Sequence, residues 1–587
     1  MKIYVNNFKG MAPKIPSRLK HDNFADFTSN TDTSTGDILP FAHYDGTFSL
    51  PSQVPSAAKC FFKWRFKDKD YWWGSTQYDR VNAVFISVPD VSTDRQQCYW
   101  MPDGDTMHVC EGADMLTQVG TIQGDSVIAG IPQPQGMTME VTGDPQAGTI
   151  PTSHSYVITF ARNWADGIVD EGPASANVTT STGASVVDVY PGQSVVIKDI
   201  SGMNAFGNDG TQQIRVYRSE TTSTGTARYY LAATSLYPEA TPPSTKYTIT
   251  DNMLTTGPAL TDMNNYAIPG GAHSFIALAN GYYAAAKDNT IYVSNYNRPY
   301  AFPRKYSVTI SESVVGLGSF GNTIVACTNS EPVLITVSDP ANPIVKAMQD
   351  PLPCLSKHSI VSTSQGVMYA CPTGVVLISS DTPKIITSQL FFERDWDKLN
   401  PADMQFAYIG KTLYIFSRSS TQILYTLDFS EYAYNSLYNQ LTSPGLTNHT
   451  TSNPNVVNTW WDPNARRLYV KYTNSSTVSM YTTDVTSTKP GIWSWTSRTF
   501  VSAQGAWRPV AARVNQEGSC TLTVYLDGKT IFSKLITGSK VVKLPAGYTG
   551  TELQFKLDMA ASSADNTVHS VTIASSMVEC LEGAESK

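Results

Sequence analysis

The sequence predicts a mainly β fold, and two observations carry that prediction. The 587 residues include 31 Tyr, 22 Phe and 11 Trp, and aromatic side chains suit a pleated, half-buried surface. The 39 Gly and 34 Pro are scattered along the chain, as expected for short strands joined by frequent turns. Because 41% of the residues are hydrophobic and 16% are charged, the chain has enough apolar side chains for several packed domains.

Residues 1–56 are expected to form an extended N-terminal arm. The stretch from Asn7 to Pro16 contains two prolines and one glycine. This composition favours a segment that lies over other surfaces and forms no core of its own.

Residues 57–149 carry several candidate strands, among them Cys60–Phe66 and the run from Val81 to Val88. The stretch Pro102-Asp103-Gly104-Asp105 is a strong hairpin signal. We expect these strands to supply a further blade to the repeat-built domain that follows.

Residues 150–262 predict a separate module. Short strands are expected at Ser155–Ala161, Ser194–Ile197 and Gln213–Ser219. Turn signals about every 8–12 residues are typical of a β-sandwich of the immunoglobulin or fibronectin III type. The module would interrupt the larger domain as an insertion.

Residues 263–490 contain a degenerate repeat of five units that begin near 275, 314, 358, 404 and 456. Each unit has two apolar runs joined by a small turn, as in Arg467–Val470 with Val478–Tyr481. Strand-built units of roughly 40–50 residues indicate β-propeller blades. A lone blade leaves its faces exposed, so we expect the units to close into a ring.

Residues 491–587 predict a C-terminal β domain that resembles a sandwich. Thr521–Leu526 alternates apolar and polar side chains and ends at Asp527-Gly528, which favours a tight hairpin.

A glycine pattern at residues 316–321 fits the letters of a dinucleotide-binding fingerprint. That fingerprint needs a helix N-terminus after the glycines. The apolar run Asn322–Cys327 predicts a strand there, so we interpret the glycines as an inter-strand turn and predict no cofactor.

Three pairs of neighbouring aspartates are candidate catalytic groups. Held about 5–9.5 Å apart across a sugar they could hydrolyse a glycoside, but neighbouring aspartates in turns usually bond the local backbone. Asp103-Gly104-Asp105 lacks the further ligands of a calcium loop. The eight histidines are dispersed. We therefore predict no catalytic, cofactor-binding or metal-binding residues and no enzymatic activity. The pairs are Asp68 with Asp70, Asp103 with Asp105, and Asp395 with Asp397.

The cysteines and tryptophans favour packing. Each cysteine stands singly, which predicts buried free thiols. The pairs Trp72-Trp73 and Trp460-Trp461 could stack on sugars, but packing in cores and subunit interfaces is the favoured interpretation. The cysteines are Cys60, Cys98, Cys110, Cys327, Cys354, Cys371, Cys520 and Cys580.

The formal charge of −7 argues against a general nucleic-acid binder, which needs a basic surface to neutralise phosphates. It leaves open a channel through which DNA passes without being held. No window reaches the roughly 18 apolar residues of a membrane span, and the first residues lack the apolar core of a signal peptide.

A series of short motifs resembles podophage tail nozzle proteins, the tail tubular protein B family of T7-like phages. Each motif is weak alone, and their common order over nearly the whole chain carries the resemblance. The motifs are Asn7–Lys14, Ser17–Leu19, Gly36–Pro40, Asp166-Gly167, Asp170–Ser175, Asn297–Pro303, Phe320–Thr323, Cys354–Val361, Trp396 and Leu399–Pro401.

The resemblance implies a homohexameric ring built on propellers, below a ring of adaptor subunits, in contact with tail fibres or tailspikes. Such a ring retains phage DNA and conducts it during ejection without reading its sequence. It implies a virion protein that is assembled in the host bacterial cytoplasm. The chain is shorter than known nozzles, so a distal tip domain is expected to be reduced. The alternative is a tail-tip propeller that binds or degrades polysaccharide.

Overall fold

The computed structural model describes residues 1–41, 44–51, 54–66, 69–87, 96–111, 127–164, 169–201, 212–221, 227–236, 246–379, 382–419, 424–429, 445–449, 455–482, 492–502, 506–559 and 566–581. These residues are mainly β, as predicted. Helical segments among them are short: α1 (Glu393–Asp397), α2 (Met577–Leu581) and the 3-10 turns Ser17–Leu19, Lys357–Ser359 and Pro401–Asp403. None of the helices in the described ranges has the length and apolarity that a bilayer crossing requires.

The N-terminal segment carries six short strands, of which β1, β2, β3 and β6 pair with distant parts of the chain and β4 and β5 pair with each other. The second of these strands contains Gly10, where a side chain has no room. A Cβ atom at Gly10 would lie 2.6 Å from the Leu446 carbonyl oxygen. The strands are β1 (Lys2–Val5), β2 (Lys9–Met11), β3 (Phe24–Ser29), β4 (Thr31–Asp32), β5 (Leu39–Pro40) and β6 (Tyr44–Ser49).

The next strands form two antiparallel sheets. A two-stranded sheet pairs Cys60–Phe66 with Lys69–Ser75, and a four-stranded sheet follows. The turn predicted at residues 102–105 does join paired strands, with Trp100 opposite His108. The strands are β7 (Cys60–Phe66), β8 (Lys69–Ser75), β9 (Val81–Ser87), β10 (Gln96–Pro102), β11 (His108–Glu111) and β12 (Val127–Ile128).

Ten strands form the inserted module. They are β13 (Thr138–Thr142), β14 (Thr152–His154), β15 (Tyr156–Asn163), β16 (Val169–Glu171), β17 (Thr179–Thr180), β18 (Val187–Val189), β19 (Ser194–Ile200), β20 (Gln212–Thr221), β21 (Ala227–Leu236) and β22 (Tyr247–Asp251). The sheets are β17-β13-β19-β22, β16-β15-β20-β21 and β14-β18.

The two larger sheets of this module bury side chains in one shared core, with Ile158 and Val216 from one sheet and Met139 and Ile197 from the other. The first strand, β13, pairs with β19. The module therefore includes β13, which lies before the start predicted at residue 150. The sequence does not reveal this strand, because the run Thr138–Thr142 is short and no turn signal separates it from earlier strands.

The first three predicted repeat units form separate four-stranded antiparallel sheets. The fourth unit supplies four antiparallel strands of an 11-stranded sheet, and the fifth supplies three strands of a four-stranded sheet. The strands are β23 (His273–Ala277), β24 (Tyr283–Lys287), β25 (Thr290–Val293), β26 (Ser307–Thr309), β27 (Val314–Phe320), β28 (Thr323–Thr328), β29 (Val333–Thr336), β30 (Ile344–Ala347), β31 (Val361–Thr363), β32 (Gly366–Cys371), β33 (Gly374–Ile378), β34 (Lys384–Ile385), β35 (Met404–Ile409), β36 (Thr412–Ser417), β37 (Leu424–Asp428), β38 (Gly445–His449), β39 (Val456–Asp462), β40 (Arg467–Tyr472) and β41 (Thr477–Thr482).

Seven groups of strands are arranged in a closed ring. Their first strands contact one another in a closed cycle, β7 to β9, β23, β27, β31, β35, β39 and back to β7. This is the arrangement of β-propeller blades. We number the blades in that order: blade 1 (β7–β8), blade 2 (β9–β12), blade 3 (β23–β26), blade 4 (β27–β30), blade 5 (β31–β34), blade 6 (β35–β38) and blade 7 (β39–β41). Residues 57–149 thus supply two sheets of the ring, where one further blade was expected.

The N-terminal strand β6 completes blade 7. It pairs with β41 as the fourth strand, with Phe48 opposite Val478. The expected arm is therefore extended, but its last strand belongs to the ring. A strand from one chain end that completes the final blade ties the circle together by backbone hydrogen bonds.

The C-terminal strands form two further layers with the N-terminal segment. One sheet has the order β1-β49-β44-β47, and β3, β42, β48, β45 and β46 continue the sheet of blade 6 through β38 and β2. Val571 and Val524 share one core between the layers. The strands are β42 (Ser494–Ser497), β43 (Phe500–Val501), β44 (Ala511–Glu517), β45 (Ser519–Leu526), β46 (Lys529–Thr537), β47 (Lys540–Lys543), β48 (Glu552–Met559) and β49 (Thr567–Ala574).

Candidate functional site

The first strands of the blades surround a cavity of ≈ 540 Å³, which we call the axial cavity. Ligand pockets commonly span about 300–1,000 Å³, so its size is that of a small-molecule site. Its walls come from blades 2 to 7. The lining residues are Arg80–Val84, Phe275–Ala277, Ser319, Lys357, His358, Ile360–Ser362, Gln405–Tyr408, Asn458–Trp461 and Leu468.

Three amide side chains, the amide wall, face this cavity from blades 2, 6 and 7: Asn82, Gln405 and Asn458. Each lies near the beginning of the first strand of its blade. Gln405 and Asn458 are only 7% and 6% exposed, so their polar atoms are removed from bulk solvent and need partners.

The amide nitrogens of two of these side chains hold neighbouring blades together. Asn82 Nδ2 donates to the Phe275 carbonyl oxygen at 2.9 Å, and Gln405 Nε2 donates to Thr459 Oγ1 at 3.0 Å. The oxygens are left over: Asn82 Oδ1, Gln405 Oε1 and Asn458 Oδ1 are buried and have no hydrogen-bond partner within the described residues. The three oxygens are thus buried acceptors without a partner among the described residues, and almost none of their surface is accessible from the cavity.

Other polar groups of the cavity are engaged differently. Ser319 Oγ donates to the Ala277 carbonyl oxygen at 3.1 Å, and Ser362 Oγ accepts from the Ser319 amide at 2.9 Å. The indole nitrogen of Trp460 is buried and, in the part of the chain that the structure describes, has no acceptor. Among the described residues that line the cavity, the buried groups named here that lack a hydrogen-bond partner are therefore three acceptors and one donor.

One end of the cavity carries charge. This mouth cluster consists of Asp79, Arg80, Asp103, Lys357 and His358. Lys357 Nζ lies 2.8 Å from Asp79 Oδ1 and 3.3 Å from Asp103 Oδ2. The Asp103 carboxylate also accepts the Ser274 amide at 3.0 Å. These contacts bring the beginnings of β9, β23 and β31 to the same end of the ring.

Burial and charge set the protonation of the mouth cluster. The hydrogen bond from His358, together with the positive charge of Lys357, lowers the pKa of Asp79 well below its usual value, although burial opposes this. Burial lowers the pKa of His358 to about 4, an effect that the hydrogen bond to Asp79 opposes and the charges of Arg418 and Arg80 reinforce. At neutral pH the aspartate is charged and the imidazole is neutral.

A glycine makes room for this end of the cavity. A Cβ atom on Gly316 would lie 2.5 Å from Ile360 Cδ1 and 3.2 Å from Arg80 Nη1. Gly316 and Gly318 both lie within β27, and only Gly321 stands at the turn to β28. The interpretation of the whole glycine pattern as a turn was therefore wrong for its first two glycines, which allow close packing between first strands.

The predicted acidic pairs do not face each other across the axial cavity. Asp103 belongs to the mouth cluster, whereas Asp105 accepts a hydrogen bond from Tyr78 that raises the pKa of Tyr78 to about 12. Asp70 lies 3.0 Å from Lys63 Nζ, and Asp68 lies outside the described residues. Asp395 and Asp397 lie on α1, where Lys398 Nζ is 2.8 Å from Asp395.

The cysteine prediction is confirmed: all eight are buried free thiols. Trp72 is 2% exposed and packs edge-on against Tyr469 with ring centroids 5.2 Å apart, as the packing interpretation expects. Trp460 and Trp461 are partly buried and line the cavity, and both also pack against hydrophobic clusters, Trp460 with its ring centroid 5.9 Å from that of Phe62. Within the described ranges, no three His, Cys, Asp or Glu side chains gather as metal ligands.

The amide wall was missed from the sequence. The signal that could have revealed it is the recurrence of a lone amide at the beginning of a repeat unit, as in Val81-Asn82 and Met404-Gln405. An amide in an otherwise apolar first strand stands out only after the units have been aligned with one another.

The chain was compared with known proteins. No family model matches it, and no curated protein matches it. Two solved structures can be superposed on it. Hsv2 of Kluyvelomyces marxianus shares 7% identity over 53% of this chain and 89% of that chain, with a TM-score of 0.24. A chain of a mitotic checkpoint complex shares 9% over 49% and 86%, with a TM-score of 0.21. At these TM-scores the matches do not establish a shared fold, and the propeller is seen in the strand pairing of this chain.

Proposed function

We propose that the chain is a virion structural protein, one subunit of a hexameric nozzle ring in a short phage tail, without enzymatic activity. The ring would sit below the adaptor, contact tail fibres or tailspikes, and retain and then conduct DNA that passes without sequence-specific binding. Assembly would take place in the host bacterial cytoplasm. The observation that carries the proposal is the ordered series of motifs that resembles the nozzle family.

The positions of these motifs in the fold support the proposal, because several of them form joints. Phe8 is buried and meets Trp495 edge-on at 5.0 Å, which ties the N-terminal segment to the C-terminal layers. In the motif Asn297–Pro303, Phe302 donates its amide to the Tyr266 carbonyl oxygen at 2.7 Å, and Tyr300 Oη accepts the Glu171 amide at 3.3 Å. These contacts join blade 3 to the inserted module.

The first and last strands of the described residues pair with each other, since Lys2–Val5 pairs with β49, and β6 completes blade 7. Such long-range strand pairing suits a ring subunit that must hold its shape while DNA passes.

We assign the inserted module to the fibronectin III-like sandwiches, because two of its sheets share one core. The C-terminal layers are sandwich-like for the same reason.

The outermost strand of blade 4 is the edge that we expect a neighbouring subunit to cover. All four residues of β30 are exposed, with Ile344 at 68% and Val345 at 47%. No strand of the described residues pairs with its outer side. An exposed apolar edge strand is a template for pairing with another chain.

Electron microscopy of the purified chain, alone and with its adaptor, tests the proposal. We expect six-fold rings with a hollow axis. Ile344→Glu should prevent the ring, whereas Ile150→Glu, at a residue 86% exposed in the inserted module, should leave it intact. A chain that stays monomeric with the adaptor present contradicts the proposal, and rings that survive Ile344→Glu contradict the assigned edge.

An assay for release of sugars from host capsule or lipopolysaccharide tests the expected lack of activity. The proposal requires no turnover. Turnover that Asp103→Asn abolishes would instead favour a polysaccharide-degrading propeller.

A further inference from the structure

We propose that two edge strands of the C-terminal layers, β46 and β47, form a contact surface for the phosphate backbone of double-stranded DNA. We call this surface the lysine edge, and it consists of Lys529, Lys534, Lys540 and Lys543. The inference deepens the proposed function and rests on it for the identity of the partner, since a nozzle ring conducts DNA.

The charge of the lysine edge differs from that of the whole chain. Between Asp527 and Glu552 the sequence has four lysines and no acidic residue, whereas the full chain has a formal charge of −7. All four lysines are exposed, so their ammonium groups can be reached from solvent. A local excess of positive charge of this kind attracts anions even when the net charge is negative.

The four lysines have no carboxylate partner among the described residues. Lys556, on β48, lies 2.9 Å from Asp558, but none of the four forms an ion pair of this kind within the described ranges. The acid that precedes them in sequence, Asp527, accepts the amides of Thr551 and Glu552 at 2.9 Å each. The positive charges of the lysine edge are therefore left for an anion from outside the chain.

The strand register brings the lysines of both layers to one side of the domain. Lys534 lies opposite Leu522, and Lys540 lies opposite Val514. Leu522 and Val514 are buried in the core that the two layers share, and directly opposite residues lie on the same face of a sheet. Because residues 538–539 join β46 directly to β47, and packed sheets lie about 10 Å apart, the two edge strands present their lysines side by side.

The chemistry of the lysine edge favours a phosphate backbone over a folded protein. Lysine is depleted in protein–protein interfaces, where aromatic residues and arginine are enriched, and it binds phosphate as a point charge. Residues 528–551 contain no arginine. Lysines at sheet edges also keep strands from pairing with other chains, so the test must separate that role from contact with DNA.

The number of lysines sets the strength of the contact. Each neutralised phosphate contributes about −0.9 to the slope of log K against log salt concentration, so four contacts give a slope of about −3.6. Between about 50 and 200 mM salt the affinity should then fall about 150-fold. DNA would be guided by this surface without being gripped, which suits a duplex that must slide during ejection.

Fluorescence anisotropy of a short labelled DNA duplex, titrated with the full chain at several salt concentrations, tests the inference. We expect weak binding with the slope given above. Changing all four lysines of the lysine edge to glutamine should weaken binding at about 50 mM salt by about tenfold or more. The matched control changes four exposed lysines outside the C-terminal layers and should bind nearly as the parent protein does: Lys59→Gln, Lys305→Gln, Lys384→Gln and Lys411→Gln.

Lys534→Glu combined with Lys540→Glu is the second variant, in case the loss of edge charges lets the chains associate. It keeps a charge on each edge strand and repels phosphate, so it should weaken DNA binding by about tenfold or more.

Three results overturn the inference. They are no binding at about 50 mM salt, an equal loss in the matched control, and tighter binding of poly-L-glutamate than of DNA, which would assign the surface to an acidic protein. Ring assembly is measured separately by electron microscopy. Rings that form without DNA binding would overturn this inference and leave the nozzle proposal standing, whereas DNA binding by a chain that never assembles would do the reverse.

Discussion

The joint between blades 1 and 7 and the axial cavity both bury polar side chains, yet only at the joint do the described residues supply the partners. Lys63 is 4% exposed, and its ammonium group meets Asp462 at 2.8 Å, Asp70 at 3.0 Å and Tyr469 Oη at 3.3 Å. An ammonium group has three donors, and here all three are used. In the cavity the three amide oxygens have no hydrogen-bond partner among the described residues.

The difference separates two uses of buried polarity. The joint closes its own hydrogen bonds, and the pKa of Lys63 is raised because bonds from Asp462 and Asp70 outweigh the burial that lowers it. Such a cluster fixes the position of blade 1 against blade 7. The cavity wall buries acceptors whose hydrogen bonds the described residues do not close, and a buried acceptor without a partner costs stability.

The largest expected effect on stability comes from a substitution that breaks the joint between blades 1 and 7. Asp462→Asn keeps the acceptor that caps the following turn, at the Asn464 amide, but removes the charge opposite Lys63. Leaving one member of a buried ion pair uncompensated costs about 3–5 kcal/mol, and because Asp70 still lies 3.0 Å from the Lys63 ammonium group we expect the lower end of that range. Chemical unfolding should show a loss of this size.

Asp70→Asn is the matched control for that experiment. The Asp70 side chain is 39% exposed, and exposed ion pairs contribute at most about 1 kcal/mol. Equal losses for the two variants would show that the joint does not depend on the buried carboxylate.

The next effect concerns pH at the mouth cluster. The folded chain keeps His358 neutral down to a pKa of about 4, whereas the unfolded chain takes up the proton near pH 6.5. The unfolded state therefore binds more protons between these values, and stability falls as the pH falls from about 6.5 to about 4. His108 and His273, whose pKa values burial also lowers, act in the same direction.

Unfolding free energies at pH 7 and pH 4.5 measure this effect. His358→Gln should remove at most about 3 kcal/mol of the difference between the two pH values. His569→Gln changes a partly exposed histidine beside Asp37 and serves as the control. An unchanged difference in His358→Gln would mean that the imidazole is already charged in the folded protein.

A smaller effect tests the packing between blades 4 and 5. A Cβ atom on Gly318 would lie 2.5 Å from Val367 Cγ1 and 2.8 Å from its Cγ2, and valine cannot turn both methyl groups away. Gly318→Ala should lower the free energy of unfolding by about 1–3 kcal/mol. Gly270→Ala, where nothing lies within 4 Å, should have little effect. Equal stability of the two variants would show that the blades are less closely packed.

Local pairings could be predicted from the sequence, and ring-wide ones could not. The second and third strands of each repeat unit, such as β32 and β33, are neighbours in sequence, so their apolar runs and intervening turn identify them. The pairing of β6 with β41 and of β1 with β49 joins opposite ends of the chain, and no local pattern encodes it. The amide wall was missed for the same reason, since Asn82 and Asn458 meet only once the ring closes.

The smallest expected effect is the most informative about the cavity. In Asn458→Leu an unpartnered amide is replaced by an apolar side chain of similar size. Removing a buried polar group that has no partner is close to neutral or stabilising, so the free energy of unfolding should change by less than about 1 kcal/mol. The contrast with Asp462→Asn, four residues further along the same strand β39, would then separate the paired joint from the unpaired wall within a single strand. A loss of more than about 2 kcal/mol would mean that the Asn458 oxygen is firmly bonded, for example to ordered water, and that the cavity is as closed a network as the joint.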